Sequence, residues 1–152
     1  MKSKADTENH LYKEPIFPIG VAAKMVGVSP STLRMYESES LLIPYKTSTN
    51  MRLFSQQDLE WIQYIRSLIK KEKLSVEGIR RILALIPCFK IRSCDISLKD
   101  KCEAYTSNGK PCWALQEVYG ECQNFECRTC VVYRDAVQAF DTKKMLGEYM
   151  NF

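Results

Sequence analysis

The stretch Val28-Ser29-Pro30-Ser31-Thr32-Leu33-Arg34-Met35-Tyr36-Glu37 decides the reading of this chain. Ser29 suits a helix N-cap, because its hydroxyl can accept a bond from the unpaired amides of the first turn. Pro30 suits the first helical position, where a missing N–H costs nothing. Val28 and Leu33 are predicted to face inward. Ser31, Thr32, Arg34 and Tyr36 are predicted to face outward. An ordinary solvated face carries Lys/Glu pairs, but this one carries hydroxyls, a guanidinium and a phenol. Such groups bind phosphate and read base edges.

Working outward, the ten residues before this stretch, Pro18 to Gly27, read as a first short helix with Ile19, Ala22, Ala23 and Val26 on one face. Gly27 makes the tight turn. Two short helices with a Gly turn between them are a helix-turn-helix. Beyond Ser38-Glu39-Ser40, Leu41-Leu42-Ile43 is expected as a short strand and Met51-Arg52-Leu53-Phe54 as its return. This makes a hairpin wing with Lys46 on one arm, Arg52 on the other and Asn50 near the tip, where Asn tolerates a left-handed backbone. Ser55 and Asp58 form a capping box for a helix to about Lys71, with Leu59, Ile62, Ile65 and Ile69 as its stripe and Trp61 and Leu68 beside it. Lys70, Lys71 and Lys73 read as ordinary cations at a helix end. Ser75 caps a further helix with Val76, Ile79, Leu83 and Ile86 inward, and Pro87 stops it.

Charge and cysteine are unevenly placed along the 152 residues. Residues 1–90 carry 14 Lys/Arg against 9 Asp/Glu, whereas residues 91–152 carry 8 against 9, so the first part is the candidate for a polyanion partner. All seven cysteines lie from Cys88 to Cys130, which separates two modules. Residues 1–14 are polar, lack the apolar core of a signal peptide, and read as a disordered tail. No apolar run reaches the roughly 18 residues of a membrane span. A cytoplasmic, reducing location follows as an expectation, and there Cys clusters serve metal or redox chemistry rather than structural disulfides.

The run from Ile16 to Ile86 resembles the DNA-binding domain of the MerR family of bacterial transcription regulators. The resemblance is carried by Ile19-Gly20-Val21-Ala22, Gly27-Val28-Ser29, Thr32-Leu33-Arg34-Met35-Tyr36-Glu37, Leu41-Leu42, Arg52-Leu53-Phe54-Ser55 and Leu74-Ser75-Val76-Glu77-Gly78-Ile79. It implies a winged helix-turn-helix over residues 15–87, with the second helix in the major groove of double-stranded DNA and the wing on the backbone. It matches Arg34, Tyr36 and Arg52 to DNA contacts, and Lys46 to a usually basic wing position. It also implies a homodimer on an inverted repeat, RNA polymerase as a partner, and activation by bending and untwisting the promoter. Three residues depart from the family pattern. Ser40 stands for a Gly before Leu41-Leu42, Asn50 for a Gly at the wing tip, and Ser38 for a basic residue. The long dimer helix that usually follows is interrupted by Pro87 and the cysteines.

The spacing Cys88-x5-Cys94-x7-Cys102-x9-Cys112-x9-Cys122-x4-Cys127-x2-Cys130 supports metal ligation. Cys127-x2-Cys130 is the tightest pair, and with Cys112 and Cys122 it makes a four-thiolate set. Cys88, Cys94 and Cys102 form a second set that would need an outside ligand. His10 is the one histidine and lies in the tail, so ligation is by thiolate, and all-sulfur sites suit an iron–sulfur cluster, Zn²⁺ or Cu(I). An iron–sulfur cluster is preferred, with a structural Zn²⁺ as the alternative. Cys102-Glu-Ala-Tyr105, Lys110-Pro-Cys112-Trp113, Cys122 and Cys127 to Tyr133 resemble, more loosely, a Cys-Trp module found beside bacterial sensors. Tyr105, Trp113, Tyr119, Phe125 and Tyr133 lie among the cysteines and either shield a cluster or form a small core.

The expected fold is mainly α: a tail over 1–14, a winged helix-turn-helix over 15–87, a Cys-rich module over 88–130, and a C-terminal helix over 131–152 that serves a dimer or packs on the Cys module. The expected function is a non-enzymatic transcription regulator that senses metal, redox or oxygen state. The rival readings are a DNA-binding protein with a purely structural zinc, and a thiol–disulfide unit tethered to DNA through Cys127 and Cys130.

Overall fold

The structure, a computed structural model, describes residues 4–107, 109–115, 118 and 122–149, with backbone alone for residues 4–7, 96, 142 and 149. It is mainly helical and divides into two compact units, Met1–Leu74 and Ser75–Phe152. The division falls before the helix capped by Ser75, whereas the sequence predicts a boundary after Pro87.

In the first unit the elements run α1 (Lys4–Lys13), β1 (Phe17–Pro18), α2 (Ile19–Val26), α3 (Pro30–Ser38), β2 (Tyr45–Lys46), β3 (Arg52–Phe54) and α4 (Gln56–Lys70). Local chemistry sets most ends. α2 closes on Gly27 at φ 69°, with the amides of Gly27 and Val28 returning to Lys24 and Ala23 carbonyls. This is the left-handed cap that glycine favours. Ser29 caps α3, its Oγ accepting from the Thr32 amide at 3.2 Å, and Pro30 opens the helix. At α4 the expected box is present: Asp58 N–H donates to Ser55 Oγ (3.1 Å) and Ser55 N–H to Asp58 Oδ2 (2.8 Å). Both side chains are fully buried, where such polar atoms must be paired.

The sheet is antiparallel, in the order β1-β3-β2, with Phe17 opposite Phe54 and Lys46 opposite Arg52. The wing therefore forms, but its first arm is Tyr45–Lys46, so the predicted strand at Leu41-Leu42-Ile43 is corrected. Leu41 and Leu42 are both buried, without the in-and-out alternation of a strand that has one face on the core. The Leu41 amide bonds back to the Tyr36 carbonyl, and its own carbonyl accepts from the Trp61 indole at 2.8 Å. The core gathers Ala22, Ala23, Val26, Leu33, Tyr36, Phe54, Leu59, Ile62, Ile65 and Leu68. Leu68 takes the inward place predicted for Ile69.

Residues 4–13 are also corrected. They form a helix rather than a disordered tail, and α1 rests on α4, the Tyr12 hydroxyl donating to Glu60 Oε2 at 2.6 Å.

The second unit holds α5 (Val76–Ala84), α6 (Cys88–Ile91), α7 (Glu103–Thr106), α8 (Val131–Arg134) and α9 (Thr142–Tyr149), with 3₁₀ turns at Ile96–Leu98, Cys112–Ala114, Cys127–Thr129 and Ala136–Phe140. Ser75 caps α5, accepting from the Gly78 amide at 3.0 Å. Ile79 and Leu83 are its buried positions. The single helix predicted over 131–152 is broken into α8, a 3₁₀ turn and α9. Asp135 and Asp141 leave helical geometry between the pieces, and the Asp141 carboxylate then accepts from the Lys144 amide at the start of α9 (3.3 Å). Asp competes for backbone amides in this way and favours caps over helix interiors. Met150, predicted on that helix, and Tyr119, predicted among the cysteines, lie outside the described residues. A small cluster of Cys88, Cys130 and Val132, with Ile86, Ile91, Ala104, Cys112 and Trp113 against it, is the centre of this unit around the cysteines.

Candidate nucleic-acid interface and thiol cluster

The outer face of α3 is partly as predicted. Ser31 and Arg34 are exposed and Thr32 half-buried. Ser29 Oγ lies 2.7 Å from Ser31 Oγ and 3.0 Å from Thr32 Oγ1, so three hydroxyls gather at the helix N-terminus, where the helix dipole favours an anion. Arg34 forms no ion pair or side-chain hydrogen bond among the described residues, so its guanidinium is free to meet a partner.

Tyr36 is corrected. It is 4% exposed and belongs to the core, not to the outward face. Burial pushes its phenol up from its ordinary value, against the lowering field of Arg66. Arg66 is a residue that sequence reasoning missed. It rises from α4, donates to the Val26 carbonyl, and lies 3.4 Å from where a Cβ on Gly27 would stand. It therefore braces the turn between α2 and α3. Long-range pairing of this kind leaves no local pattern to find.

The wing cations are brought together as predicted, but by an unpredicted partner. Glu37, at the end of α3, takes Lys46 Nζ on Oε1 at 2.8 Å and Arg52 Nε on Oε2. Burial opposes ionisation of Glu37, yet the bonds from Arg52 and Lys46 outweigh it and hold the carboxyl below its ordinary value of 4.5. The recognition helix and the wing are thus tied as one body. Arg52 is half-buried and Lys46 exposed, so one carboxylate fixes the spacing of two cations that remain open to a phosphate backbone.

All seven cysteines are free thiols in the second unit. Cys112, Cys122, Cys127 and Cys130, the first predicted set, line one small cavity with Trp113 and Tyr133, whose rings meet edge to face at 5.2 Å. Cys88, Cys94 and Cys102, the second set, line a larger cavity of about 210 Å³, and Cys122 lines that one too. The two sets also meet at Cys88 and Cys112. The Cys112 thiol donates to Cys88, which lowers Cys88 despite its burial and raises Cys112. Burial, with the neighbouring Cys94, Cys88 and Cys130, pushes Cys122 up to about 11, and burial with Cys130 raises Cys127. Among the described residues, no three His, Cys, Asp or Glu side chains already converge on one ion. The donors are nonetheless soft sulfur ligands in an apolar setting, and this chemistry fits a thiophilic metal or cluster. Of the interleaved aromatics, Tyr133 is buried, while Tyr105 and Phe125 are exposed and meet Lys99 and Arg92 across their faces.

Two helices joined at a glycine turn, followed by a hairpin paired to β1, define the first unit as a winged helix-turn-helix. Residues 17–86 match the family described as MerR HTH family regulatory protein. The chain is 35% identical over 71 residues to the heat shock protein HspR of Streptomyces coelicolor, covering 47% of this chain and 47% of HspR. It is 34% identical over 71 residues to the HTH-type transcriptional regulator GlnR of Bacillus anthracis, covering 47% and 54%. It is 32% identical over 71 residues to the HTH-type transcriptional regulator ZntR of Escherichia coli, covering 46% and 50%. The chain spans about half the length of the curated relatives it matches. The family match ends before the first cysteine. Among the described residues, no helix is long and apolar enough to cross a membrane.

Proposed function

We propose that this protein is a non-enzymatic, bacterial transcription regulator that binds promoter DNA as a homodimer and takes its signal through the cysteines. The observation that carries the DNA reading is the Glu37 tie. It holds Lys46 and Arg52 at a fixed distance from a recognition helix whose Ser31, Thr32 and Arg34 line its outer side. Arg34 reads a base edge, the two wing cations meet phosphates, and the hydroxyls at the N-terminus of α3 receive a phosphate oxygen. Tyr36 supports the helix from below. Each phosphate neutralised adds about 0.9 to the slope of log affinity against log salt, so binding weakens steeply as salt rises. RNA polymerase is the partner whose access the bound dimer controls.

The gathering of seven thiols in one small unit supports the signal half. An iron–sulfur cluster bound there would supply a charge and ligation state that depends on oxygen or redox conditions. The cysteines' own part is to give up thiol protons to ligation, and that of Trp113 and Tyr133 is to wall the sulfurs from water. A purely structural Zn²⁺ is the second reading, favoured by the Cys127-x2-Cys130 spacing. Purification without oxygen, followed by iron, sulfide and zinc analysis and DNA binding of loaded and stripped protein, tests both. Iron and sulfide, with affinity that changes on stripping, are expected. Zinc alone, with affinity that does not change while the protein stays folded, selects the second reading.

A further inference from the structure

We propose that Cys88, Cys94, Cys102 and Cys122 together hold one iron–sulfur cluster in the larger cavity of the second unit. This assigns Cys122 to the N-terminal cysteines and away from Cys112, Cys127 and Cys130. It rests on the reading that the cysteine region holds a metal group, and it names the ligands.

Cavity size decides between the two sets. The space lined by Cys112, Cys122, Cys127 and Cys130 is about 20 Å³. The space lined by Cys88, Cys94, Cys102 and Cys122 is about 210 Å³. A space of about 10 to 15 Å³ holds one water, so the first space takes about one water and the second takes a group of several heavy atoms. A single Zn²⁺ draws its sulfurs to about 2.3 Å from one point, and a volume of this size suits a larger inorganic group better.

The walls fit such a group chemically. Four cysteines from four separate points of the chain supply the full thiolate complement of a cluster. Each ligating thiol loses its proton, which leaves the liganded cluster net negative. Among the described residues, the charged side chains that line the same cavity are Lys90, Lys99 and Asp95. Phe89 and Tyr105, edge to face at 5.0 Å, give part of its wall an apolar surface.

The full chain, purified without oxygen and loaded with iron and sulfide, provides the test. Cys94→Ser, Cys102→Ser and Cys122→Ser are expected to lose most of the bound iron and sulfide and the broad visible absorbance. Cys127→Ser is expected to keep them. Because a substitution can unfold so small a unit, the wild-type protein supplies a second measurement. Alkylation mapped by mass spectrometry should show Cys94, Cys102 and Cys122 protected by loading and Cys127 modified equally with and without it. Loss of iron in Cys127→Ser with retention in Cys94→Ser overturns the assignment, as does protection of Cys127 with Cys94 left reactive. Those outcomes leave a metal-holding cysteine region intact. Wild-type protein that takes up zinc but no iron or sulfide overturns the cluster, and wild-type protein that takes up no metal at all overturns the broader reading with it.

Discussion

Lys46 Nζ lies 2.8 Å from Glu37 Oε1, joining the first arm of the wing to the last turn of the recognition helix. The other carboxylate oxygen holds Arg52 on the return arm. An acid at this place looks unsuited to a DNA-binding face, and its use is to position two cations.

Glu37→Gln is expected to release both cations and remove a negative charge. Affinity for random duplex should rise as that charge is removed, while the salt slope stays near its wild-type value because the same two cations meet phosphates in both proteins. Affinity for the preferred site should rise less or fall, because the wing is no longer held. Titrations against selected and scrambled duplexes at several salt concentrations check this; an unchanged ratio between the two duplexes would sink it.

The same carboxylate predicts a pH dependence. Its pKa is depressed in the folded state, so its contribution to stability is present above the unfolded value. That contribution is lost as pH falls through the lower folded value. Below about pH 4.5, wild-type stability should therefore fall more steeply than that of Glu37→Gln. Urea denaturation across that window measures it.

Arg34→Ala should weaken binding to the preferred site by about 1 to 3 kcal/mol while leaving random duplex less affected, as expected for a base-reading arginine. Thermal stability should not change, since Arg34 is exposed. Equal weakening on both duplexes would make it a phosphate contact.

Tyr36→Ala should behave oppositely. Removing a buried aromatic side chain costs about 3 to 5 kcal/mol of stability, and any loss of DNA binding should follow unfolding. Tyr36→Phe should fold nearly as wild type. A Tyr36→Phe variant of wild-type stability but much weaker DNA binding would show that the phenol touches DNA after all.

Ser40→Gly should stabilise the protein. Ser40 has φ 64°, a left-handed backbone that costs an L residue about 1 to 2 kcal/mol. Glycine removes that strain but returns part of it as unfolded-chain entropy, so a gain of about 1 kcal/mol is expected from thermal melts. Asn50, at φ 62°, should gain less from the same change, because Asn tolerates this conformation.

The sequence by itself determined several features of this protein that act within one turn of chain. The Ser29 cap with Pro30, the turn at Gly27, the tolerance of Asn50 for a left-handed backbone, the Ser55–Asp58 box and a wing with Lys46 and Arg52 on opposite arms were all legible, whereas the first arm was expected at Leu41-Leu42-Ile43 and lies at Tyr45–Lys46. Each depends on residues a few positions apart, or on a short hairpin whose ends must meet. Helical periodicity likewise marked the inner faces of α2, α4 and α5. It failed at Tyr36, where a polar tip suggested an outward side chain and the core took the ring. It failed at residues 131–152, where the chain leaves helical geometry at Asp135 and Asp141 and the Asp141 carboxylate takes the Lys144 amide. Tertiary structure alone decided that Glu37 binds both wing cations, that Arg66 braces a turn 40 residues away, and that Cys88 meets Cys112. It also placed Cys122 on the walls of two cavities. Spacing along a chain counts bonds, whereas ligation and ion pairing depend on distance through space. Only packing converts the one into the other.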